Sequence, residues 1–269
     1  MSPTISTKPH VLFIHGLWLH AESWKQWIAH FQEAGYQASA ASWPGDAEST
    51  SATRKNPAAV ANFGITAISN HIADQVKKLE QAPILIGHSF GGLLAQNLLG
   101  RDLAAAAIAL DPAPIKGVPE LPLPALRATL PIVSNPLNLS RAVSLTDTQF
   151  RYAFGNAISE QESHDLFKTY AMPAPARPLF QAAFATLNPK AETAVNVTNP
   201  KRGPLLLIAG SEDHIVPPVL VRSALRRYRK SQAVTDFREY PGRGHSLVLD
   251  HGWKEIADFC LTWLRDKNL

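Results

Sequence analysis

The sequence predicts an α/β fold, in which a mostly parallel sheet is covered by helices on both faces and interrupted by an inserted cap. Two observations predict it. Short apolar runs alternate with helical patterns in the first and last parts of the chain, which is typical of a parallel sheet with right-handed crossovers. The alternation stops between residues 112 and 200, a span that holds 12 of the 21 prolines. The 269 residues are enough for such a core and an insertion.

The first part of the chain contains four short segments that are predicted to be strands. They lie at residues 11–14, 36–43, 83–86 and 104–110. Between them, apolar residues recur at helical spacing in segments 24–31, 65–79 and 90–99. Strand and helix therefore alternate up to residue 110.

The same alternation returns after residue 200. Strands are predicted at 204–209 and 234–240, with a helix at 219–229 between them. The last helix places Ile256, Cys260 and Trp263 on one face, so the single cysteine is expected to be a buried apolar group. One cysteine also excludes an intrachain disulfide.

The proline-rich span predicts a different architecture from the rest of the chain. Proline removes a ladder donor and breaks helix interiors, so a central strand is not expected here. Short helices are expected at 147–153 and 160–170. The predicted organisation is therefore a core formed by residues 1–111 and 201–269 and a helical cap formed by residues 112–200.

Charge and hydropathy argue against two classes of partner. The chain has 26 basic and 22 acidic residues, and its densest basic stretch, around Arg222, Arg226 and Arg229, has the spacing of a surface helix. We therefore expect no nucleic-acid partner. The longest apolar run, residues 103–110, is too short to span a membrane, and the N-terminus lacks a signal-peptide pattern. A cytoplasmic protein is expected.

The pentapeptide GHSFG at residues 87–91 lies between a predicted strand and a predicted helix. A G-x-S-x-G pattern in that context predicts a strained turn that lifts the hydroxyl of Ser89 above the sheet. Glycines two residues before and after the serine remove side chains that would clash there. Ser89 is therefore the candidate nucleophile.

A serine nucleophile needs a histidine base that is oriented by a carboxylate. In sheets of this kind the acid and then the histidine follow the serine along the chain. Asp213 comes just after the strand at 204–209, and His245 lies in a glycine-flanked loop after the next strand. These two residues are the candidate acid and base.

Other residues compete for these roles. Asp111, at the end of the strand at 104–110, is the main alternative acid, and Glu212 adjoins Asp213. The competing histidines are His88, His214 and His251. The order of the motifs along the chain favours Asp213 and His245 over these alternatives.

An acyl-transfer intermediate also needs hydrogen-bond donors for its oxyanion. The expected donors are the backbone N–H groups of Phe90, directly after the nucleophile, and Leu17, in the HGLW loop after the first strand, with Trp18 as the alternative to Leu17. His15 is expected to fix this loop by hydrogen bonding.

The motifs HGLW, GHSFG, GSEDHIVP and GRGHS, spread over the whole chain, resemble the α/β-hydrolase superfamily. The match is to small capped serine esterases, lipases and lysophospholipase-like hydrolases. The resemblance implies an eight-stranded sheet, but only ten residues precede the first strand here, so we expect about six strands.

The resemblance implies a small-molecule carboxylic ester as substrate, an acyl-enzyme intermediate, and neither a metal nor an organic cofactor. Trp18, His88 and Phe154 are the candidate substrate-binding residues, and the cap aromatics Phe150, Tyr152 and Phe154 could equally be cap core. The substrate's acyl chain and the oligomeric state stay open.

Other chemistries use the same triad, namely those of hydroxynitrile lyases, C–C hydrolases and cofactor-free haloperoxidases. A ligand receptor on a hydrolase scaffold is a further alternative, which the complete triad disfavours. Epoxide hydrolases and dehalogenases use a carboxylate nucleophile, so Ser89 counts against them.

Overall fold

The computed structural model describes residues 8–269, which form eight strands and ten α-helices. The strands are β1 (Val11–Ile14), β2 (Ala38–Ala41), β3 (Ile84–His88), β4 (Ala106–Leu110), β5 (Ala142–Val143), β6 (Ala174–Pro175), β7 (Leu205–Gly210) and β8 (Thr235–Tyr240). The helices are α1 (Lys25–Glu33), α2 (Thr50–Lys55), α3 (Ile65–Val76), α4 (Phe90–Gly100), α5 (Leu123–Val133), α6 (Asp147–Ala153), α7 (Glu160–Tyr170), α8 (Arg177–Ala183), α9 (Pro218–Tyr228) and α10 (Trp253–Asp266).

Six strands form one fully parallel sheet in the order β2-β1-β3-β4-β7-β8, which confirms the predicted fold class and strand number. The four central strands are buried along their whole length, as expected for a sheet covered on both faces. The register aligns the carboxyl ends of these strands at one edge. Open α/β sheets place their sites at this edge.

Aromatic side chains fill the core beside β1. Phe13 stacks on Trp24 at 4.9 Å between ring centroids and meets Phe31 edge to ring at 5.3 Å. Trp27 is also fully buried, and its Nε1 donates a hydrogen bond to the Val248 carbonyl oxygen at 2.8 Å. This bond joins α1 to the segment that follows β8.

The segment between β4 and β7 contains α5–α8, together with a two-stranded antiparallel sheet of β5 and β6. Helices α6 and α7 have the predicted bounds because each begins at a clear cap: Thr146 and Gln149 form a capping box, and Ser159 Oγ accepts from the Glu162 N–H. The small sheet was not predicted. Its strands have two residues each, too few to show a period-two pattern.

Hydrogen bonds tie this segment to the rest of the chain. Trp18 Nε1 donates to the Val143 carbonyl oxygen at 3.0 Å, and the Met172 N–H donates to the Trp18 carbonyl oxygen at 3.0 Å. The Arg54 side chain donates to the carbonyl oxygens of Ala171 and Lys168. Trp18, in the loop after β1, is thereby joined to β5 through Val143 and to the residues just before β6 through Met172. Arg54 joins α2 to the end of α7 and the residue after it.

The arginines of α9 lie on a solvent-exposed face, as the spacing predicts. Arg222 pairs with Glu239, and Arg226 pairs with Glu120, while Leu220 and Val221 are buried. Cys260 is fully buried. None of the helices within residues 8–269 combines the length and the apolar character that crossing a membrane requires.

Candidate active site

The turn after β3 holds Ser89 in a conformation that L-residues rarely adopt, with φ 55° and ψ −122°. Its backbone N–H donates to the Leu110 carbonyl oxygen at 2.9 Å, and its carbonyl oxygen accepts from the Gly92 and Ala113 N–H groups. The surrounding structure therefore fixes the strained residue from both sides. Such strain concentrates at functional sites.

The two flanking glycines are required by close backbone packing. A Cβ on Gly87 would lie 2.1 Å from the Gly91 carbonyl oxygen, and one on Gly91 would lie 2.1 Å from the Ile14 carbonyl oxygen. Helix α4 can therefore begin directly beside β1 only because these positions have no side chain. The close approach places the start of the helix next to the carboxyl end of the strand.

His245 and Asp213 meet in the core at this edge of the sheet. His245 Nδ1 lies 2.6 Å from Asp213 Oδ2, and both side chains are fully buried. The other Asp213 oxygen, Oδ1, accepts from the backbone N–H groups of Ile215 and Val216 at 2.7 and 2.8 Å. These bonds hold the carboxylate in one orientation toward the imidazole. Within residues 8–269, His245 Nε2 has no hydrogen-bond partner.

Asp111 is also fully buried here, at a φ of 42°, but its hydrogen bonds differ from those of Asp213. Its Oδ1 accepts from the Gly210 N–H at 2.7 Å, and its Oδ2 has no partner among the described residues. Burial, followed by the nearby charge of Asp213, raises the pKa of Asp111 well above its usual value. The structure therefore favours a protonated Asp111 beside an Asp213 that contacts the histidine.

His88 lies behind the His245 loop and has no exposed surface. Its Nε2 donates to the His245 carbonyl oxygen at 3.0 Å, and the two imidazole rings are 4.5 Å apart. Burial, together with the neighbouring His245 ring, holds the pKa of His88 well below its usual value. A neutral His88 thus supports the backbone of the loop that carries His245.

Within residues 8–269, His88, Asp111 and His245 form the only group of metal-ligand type, with candidate ligand atoms within 4.8 Å of one another. One ring nitrogen of each histidine is used in a hydrogen bond, by His245 to Asp213 and by His88 to the His245 carbonyl oxygen. Three of the other polar atoms, His88 Nδ1, Asp111 Oδ2 and His245 Nε2, have no hydrogen-bond partner among the described residues.

The loop after β1 passes directly beside Ser89. A Cβ on Gly16 would lie 2.7 Å from Ser89 Cβ and 3.4 Å from Ser89 Oγ. His15 fixes this loop, since its Nδ1 lies 2.9 Å from the Gly16 carbonyl oxygen and its Nε2 lies 3.1 Å from Asp46 Oδ2. The backbone N–H groups of Leu17 and Phe90 donate no hydrogen bond to other described residues.

An apolar cavity of about 120 Å³ adjoins Ser89 and Phe90. Its other lining residues are Ala113, Pro114, Glu120, Leu121, Pro122, Ala125, Leu126, Thr129, Val133, Leu179, Ala182, Ala183, Ile215, Val216 and Leu220. Glu120 is the only ionisable side chain in this wall, and it is paired with Arg226 at 2.6 Å. The cavity is therefore suited to an apolar group beside Ser89.

Trp18, His88 and Phe154, the residues expected to bind substrate, do not line this cavity. Trp18 Nε1 donates to the Val143 carbonyl oxygen, His88 supports the His245 loop, and Phe154 packs its ring edge to face against His245 at 4.9 Å. Phe150 stacks on Phe154 at 4.7 Å and is also buried. Substrate binding by Trp18, His88 and Phe154 stays a prediction.

The competing residues point elsewhere. His214 Nδ1 lies 2.9 Å from the Tyr152 carbonyl oxygen, and His251, which is largely exposed, pairs with Glu162. Glu212 is exposed and accepts a hydrogen bond from Ser211. None of these three reaches the Ser89 turn through a hydrogen bond.

Hydrogen bonds to Asp250 also hold the histidine loop, and no motif in the sequence indicates them. Ser246 Oγ donates to Asp250 Oδ2 at 2.8 Å, and Arg243 pairs with the other Asp250 oxygen. Asp250 is almost fully buried. An acidic residue in a loop is ordinarily exposed, so only the structure reveals that this carboxylate closes the turn around His245.

Known proteins share this architecture. Structures with similar folds include a monoacylglycerol lipase from Paleococcus ferrophilus (TM-score 0.68, 20% identity, covering 97% of this chain and 96% of that chain). An extracellular alpha/beta-hydrolase from a Paenibacillus species has a TM-score of 0.67 at 20% identity, covering 94% of this chain and 98% of that one. MenH from S. aureus has a TM-score of 0.68 at 14% identity, covering 99% and 97%.

These identities are low, so the structural likeness establishes a shared fold. No curated protein sequence matches this chain significantly. The sequence model of the alpha/beta hydrolase family, in contrast, matches residues 11–259, which include β1–β8 and every residue of the site described above. The chain belongs to the alpha/beta hydrolase family.

Proposed function

We propose that this hydrolase cleaves carboxylic esters, with Ser89 as nucleophile, His245 as base and Asp213 as the acid that orients it. The observation that carries the proposal is the buried contact of 2.6 Å between His245 Nδ1 and Asp213 Oδ2, at the same sheet edge as a serine on a strained turn. Nucleophile, base and orienting carboxylate are the parts that covalent acyl transfer needs.

In the proposed mechanism, Ser89 Oγ attacks the ester carbonyl carbon while His245 Nε2 accepts the hydroxyl proton. The Ser89 Oγ–His245 Nε2 hydrogen bond is not formed in this structure, and such bonds often tighten only in the substrate complex. His245 then protonates the leaving alcohol. Water, deprotonated by His245, attacks the acyl-enzyme and releases the carboxylic acid and Ser89.

The N–H groups of Leu17 and Phe90 are the proposed donors to the oxyanion of each tetrahedral intermediate, with Trp18 as the alternative to Leu17. Both chosen groups lack a partner among the described residues, and the Gly16 backbone lies beside Ser89. Donors that are already in place stabilise the negative charge without reorganisation at the moment of reaction.

The cavity supports a small apolar acyl group as the part of the substrate next to Ser89. A cavity of ~150 Å³ accommodates benzene, so a space of about 120 Å³ suits a chain of about four to six carbons. Twelve of its 17 lining residues fall within residues 112–200. We propose that residues 112–200 are the cap that determines substrate choice.

The cytoplasmic location expected from the sequence stays a prediction.

Hydrolysis of p-nitrophenyl butyrate by the purified protein tests the proposal. We expect turnover by the wild type, a loss on the order of 10⁴-fold in kcat for Ser89→Ala, and full activity for the control Ser51→Ala, an exposed serine in α2. A Ser89→Ala variant that keeps most of the activity would rule out the assignment. Labelling of Ser89 by a fluorophosphonate without ester turnover would instead favour non-hydrolytic chemistry on the same triad.

A further inference from the structure

Exposed leucines are concentrated in one stretch of the chain. Residues 8–269 contain ten large apolar side chains that are exposed, and six of them lie between residues 121 and 139. They are Leu121, Leu123, Leu126, Leu130, Leu137 and Leu139. Single exposed leucines are ordinary, but a contiguous apolar patch marks an interaction surface.

Helix α5 is apolar on two sides. Ala125, Thr129 and Val133 face the cavity next to Ser89. Leu123 and Leu130 do not line the cavity and are 80% and 56% exposed. An apolar helix side that faces water has an unfavourable hydration free energy, which contact with another apolar surface would remove.

The exposed side chains continue from α5 to neighbouring elements. A short 3₁₀ helix (Pro136–Ser140) follows α5 and presents Leu137 and Leu139. Leu139 lines a surface groove together with Phe184, which is 56% exposed, and the Leu187 N–H donates to the Phe184 carbonyl oxygen. We refer to Leu123, Leu126, Leu130, Leu137, Leu139, Phe184 and Leu187 as the leucine face.

The leucine face reaches the mouth of the cavity. Leu121 and Leu126 line the cavity, yet they are 71% and 39% exposed, so they form its rim. If an apolar surface covered this rim, an apolar molecule could pass from that surface into the cavity beside Ser89 without crossing water.

The charged residues around the leucine face indicate which kind of surface it would bind. From Leu121 to Thr146 the sequence has no carboxylate, and its only charged residues are Arg127 and Arg141. Both arginines are exposed. The one carboxylate in the groove of Leu139 and Phe184 is that of Glu192, which accepts hydrogen bonds from the Thr66 N–H and the Gln181 side chain. Apolar side chains flanked by basic ones are the combination that binds the interface of a bilayer containing anionic lipid.

We propose that the leucine face docks this protein onto a phospholipid bilayer surface, with the cavity rim at the level of the lipid. Together with the proposed esterase function, on which this consequence rests, docking implies that the natural esters are apolar molecules dissolved in the bilayer. The docking itself depends only on the leucine face and its two arginines.

Sedimentation with vesicles of equal parts phosphatidylcholine and phosphatidylglycerol tests the docking. We expect the wild type to sediment with the vesicles and Leu123→Ser/Leu130→Ser/Leu137→Ser to partition on the order of tenfold less. None of these three leucines lines the cavity. The matched control Val219→Ser/Val234→Ser changes exposed apolar residues outside the face and should partition like the wild type.

Two further measurements separate this proposal from the esterase proposal. Ser89→Ala should bind vesicles like the wild type, whatever the reaction is. The triple variant should hydrolyse water-soluble p-nitrophenyl acetate like the wild type but a vesicle-dissolved ester about tenfold more slowly. Equal vesicle partitioning of wild type and triple variant would overturn the docking. So would light scattering that shows a wild-type dimer dissociated by the three substitutions, since the face would then bind a second copy.

Discussion

At the scale of single residues, two buried carboxyl groups near one histidine are distinguished by their hydrogen bonds. Asp213 accepts two backbone N–H groups and contacts His245, whereas Asp111 accepts one N–H and has an oxygen without a partner in the described chain. Hydrogen bonds favour a charged carboxylate, and burial beside a like charge favours a neutral one. The contact with His245 makes Asp213 the carboxyl group that orients the imidazole in the proposed mechanism.

This difference predicts opposite sensitivities to amide substitution. Asp213→Asn should lower kcat by about 10⁴-fold, because an amide cannot stabilise the imidazolium or hold its tautomer. Asp111→Asn should change kcat by less than about tenfold, because a neutral amide still accepts the Gly210 N–H and resembles a protonated carboxyl. Initial rates with p-nitrophenyl butyrate compare the two. The reverse order would make Asp111 the catalytic acid.

His88 predicts a pH dependence of stability. Its pKa is depressed in the folded protein and about 6.5 in the unfolded chain. The stability that neutral His88 contributes is therefore present above pH ~6.5 and decreases as the pH falls, by up to about 1.4 kcal/mol per pH unit, because only the unfolded state gains the proton.

Urea unfolding between pH ~7 and ~5 measures this contribution. In His88→Gln the amide can still donate to the His245 carbonyl oxygen but does not titrate, so the free energy of unfolding should depend less steeply on pH, by about one proton. Histidines that do not interact with His88 contribute equally to both proteins and cancel in the difference. Parallel pH curves for the two proteins would show that His88 does not have the depressed pKa.

At the scale of elements, the site depends on how closely α4 approaches β1. Gly91→Ala would place a methyl group 2.1 Å from the Ile14 carbonyl oxygen and 2.6 Å from that of His15. Neither backbone oxygen can move without displacing the parallel sheet or the loop after β1. We expect the free energy of unfolding to fall by about 3 kcal/mol or more, together with a loss of esterase activity.

Gly100→Ala in the same helix is the matched control. Its methyl group would meet the Asn196 carbonyl oxygen at 3.2 Å, a clash that a small shift relieves. Alanine also has a higher helix propensity than glycine by about 1 kcal/mol, so the change in unfolding free energy should stay within about 1 kcal/mol. Urea denaturation of both variants checks the prediction; equal losses at the two positions would contradict it.

The core strands and the turn at Ser89 could be predicted because their signals are local. A buried apolar run, a glycine pattern and a helix cap each depend on a few adjacent residues, as the bounds of β1, α6 and α7 show. The second strand is shorter than the 36–43 run because only residues 38–41 pair with β1. Pairing depends on the partner strand, which the residues of the segment itself do not specify.

The side-chain directions in the segment between β4 and β7 could not be predicted in the same way. The sequence leaves Phe150 and Phe154 equally suited to cavity wall or core, and in the structure they stack on each other while Phe154 also packs against His245. Contacts between distant segments decide these positions, and no sequence period encodes them. Asp250 shows a different limit: its partners Ser246 and Arg243 are only four and seven residues away, but no regular pattern indicates that a loop carboxylate is buried between them.

At the scale of the whole molecule, two surfaces with different chemistry meet at Ser89. The sheet edge supplies fixed hydrogen bonds around Ser89, His245 and Asp213, and the segment between β4 and β7 supplies most of the apolar wall. On the proposed function, this division would let the cavity wall vary without disturbing the hydrogen bonds around Ser89, His245 and Asp213. Substitutions in α5 should accordingly change which esters are cleaved more than whether any is cleaved.

The central claim is that an acyl group is transferred to Ser89 during turnover. Acid quenching of the protein while it hydrolyses p-nitrophenyl acetate, followed by peptide mass spectrometry, tests this claim directly. Acyl-enzyme accumulation is the fingerprint of covalent catalysis, and we predict one acetyl group on the peptide that contains Ser89 and none in Ser89→Ala. Steady turnover with an unmodified Ser89 peptide, or with acetyl on another residue, would contradict the account.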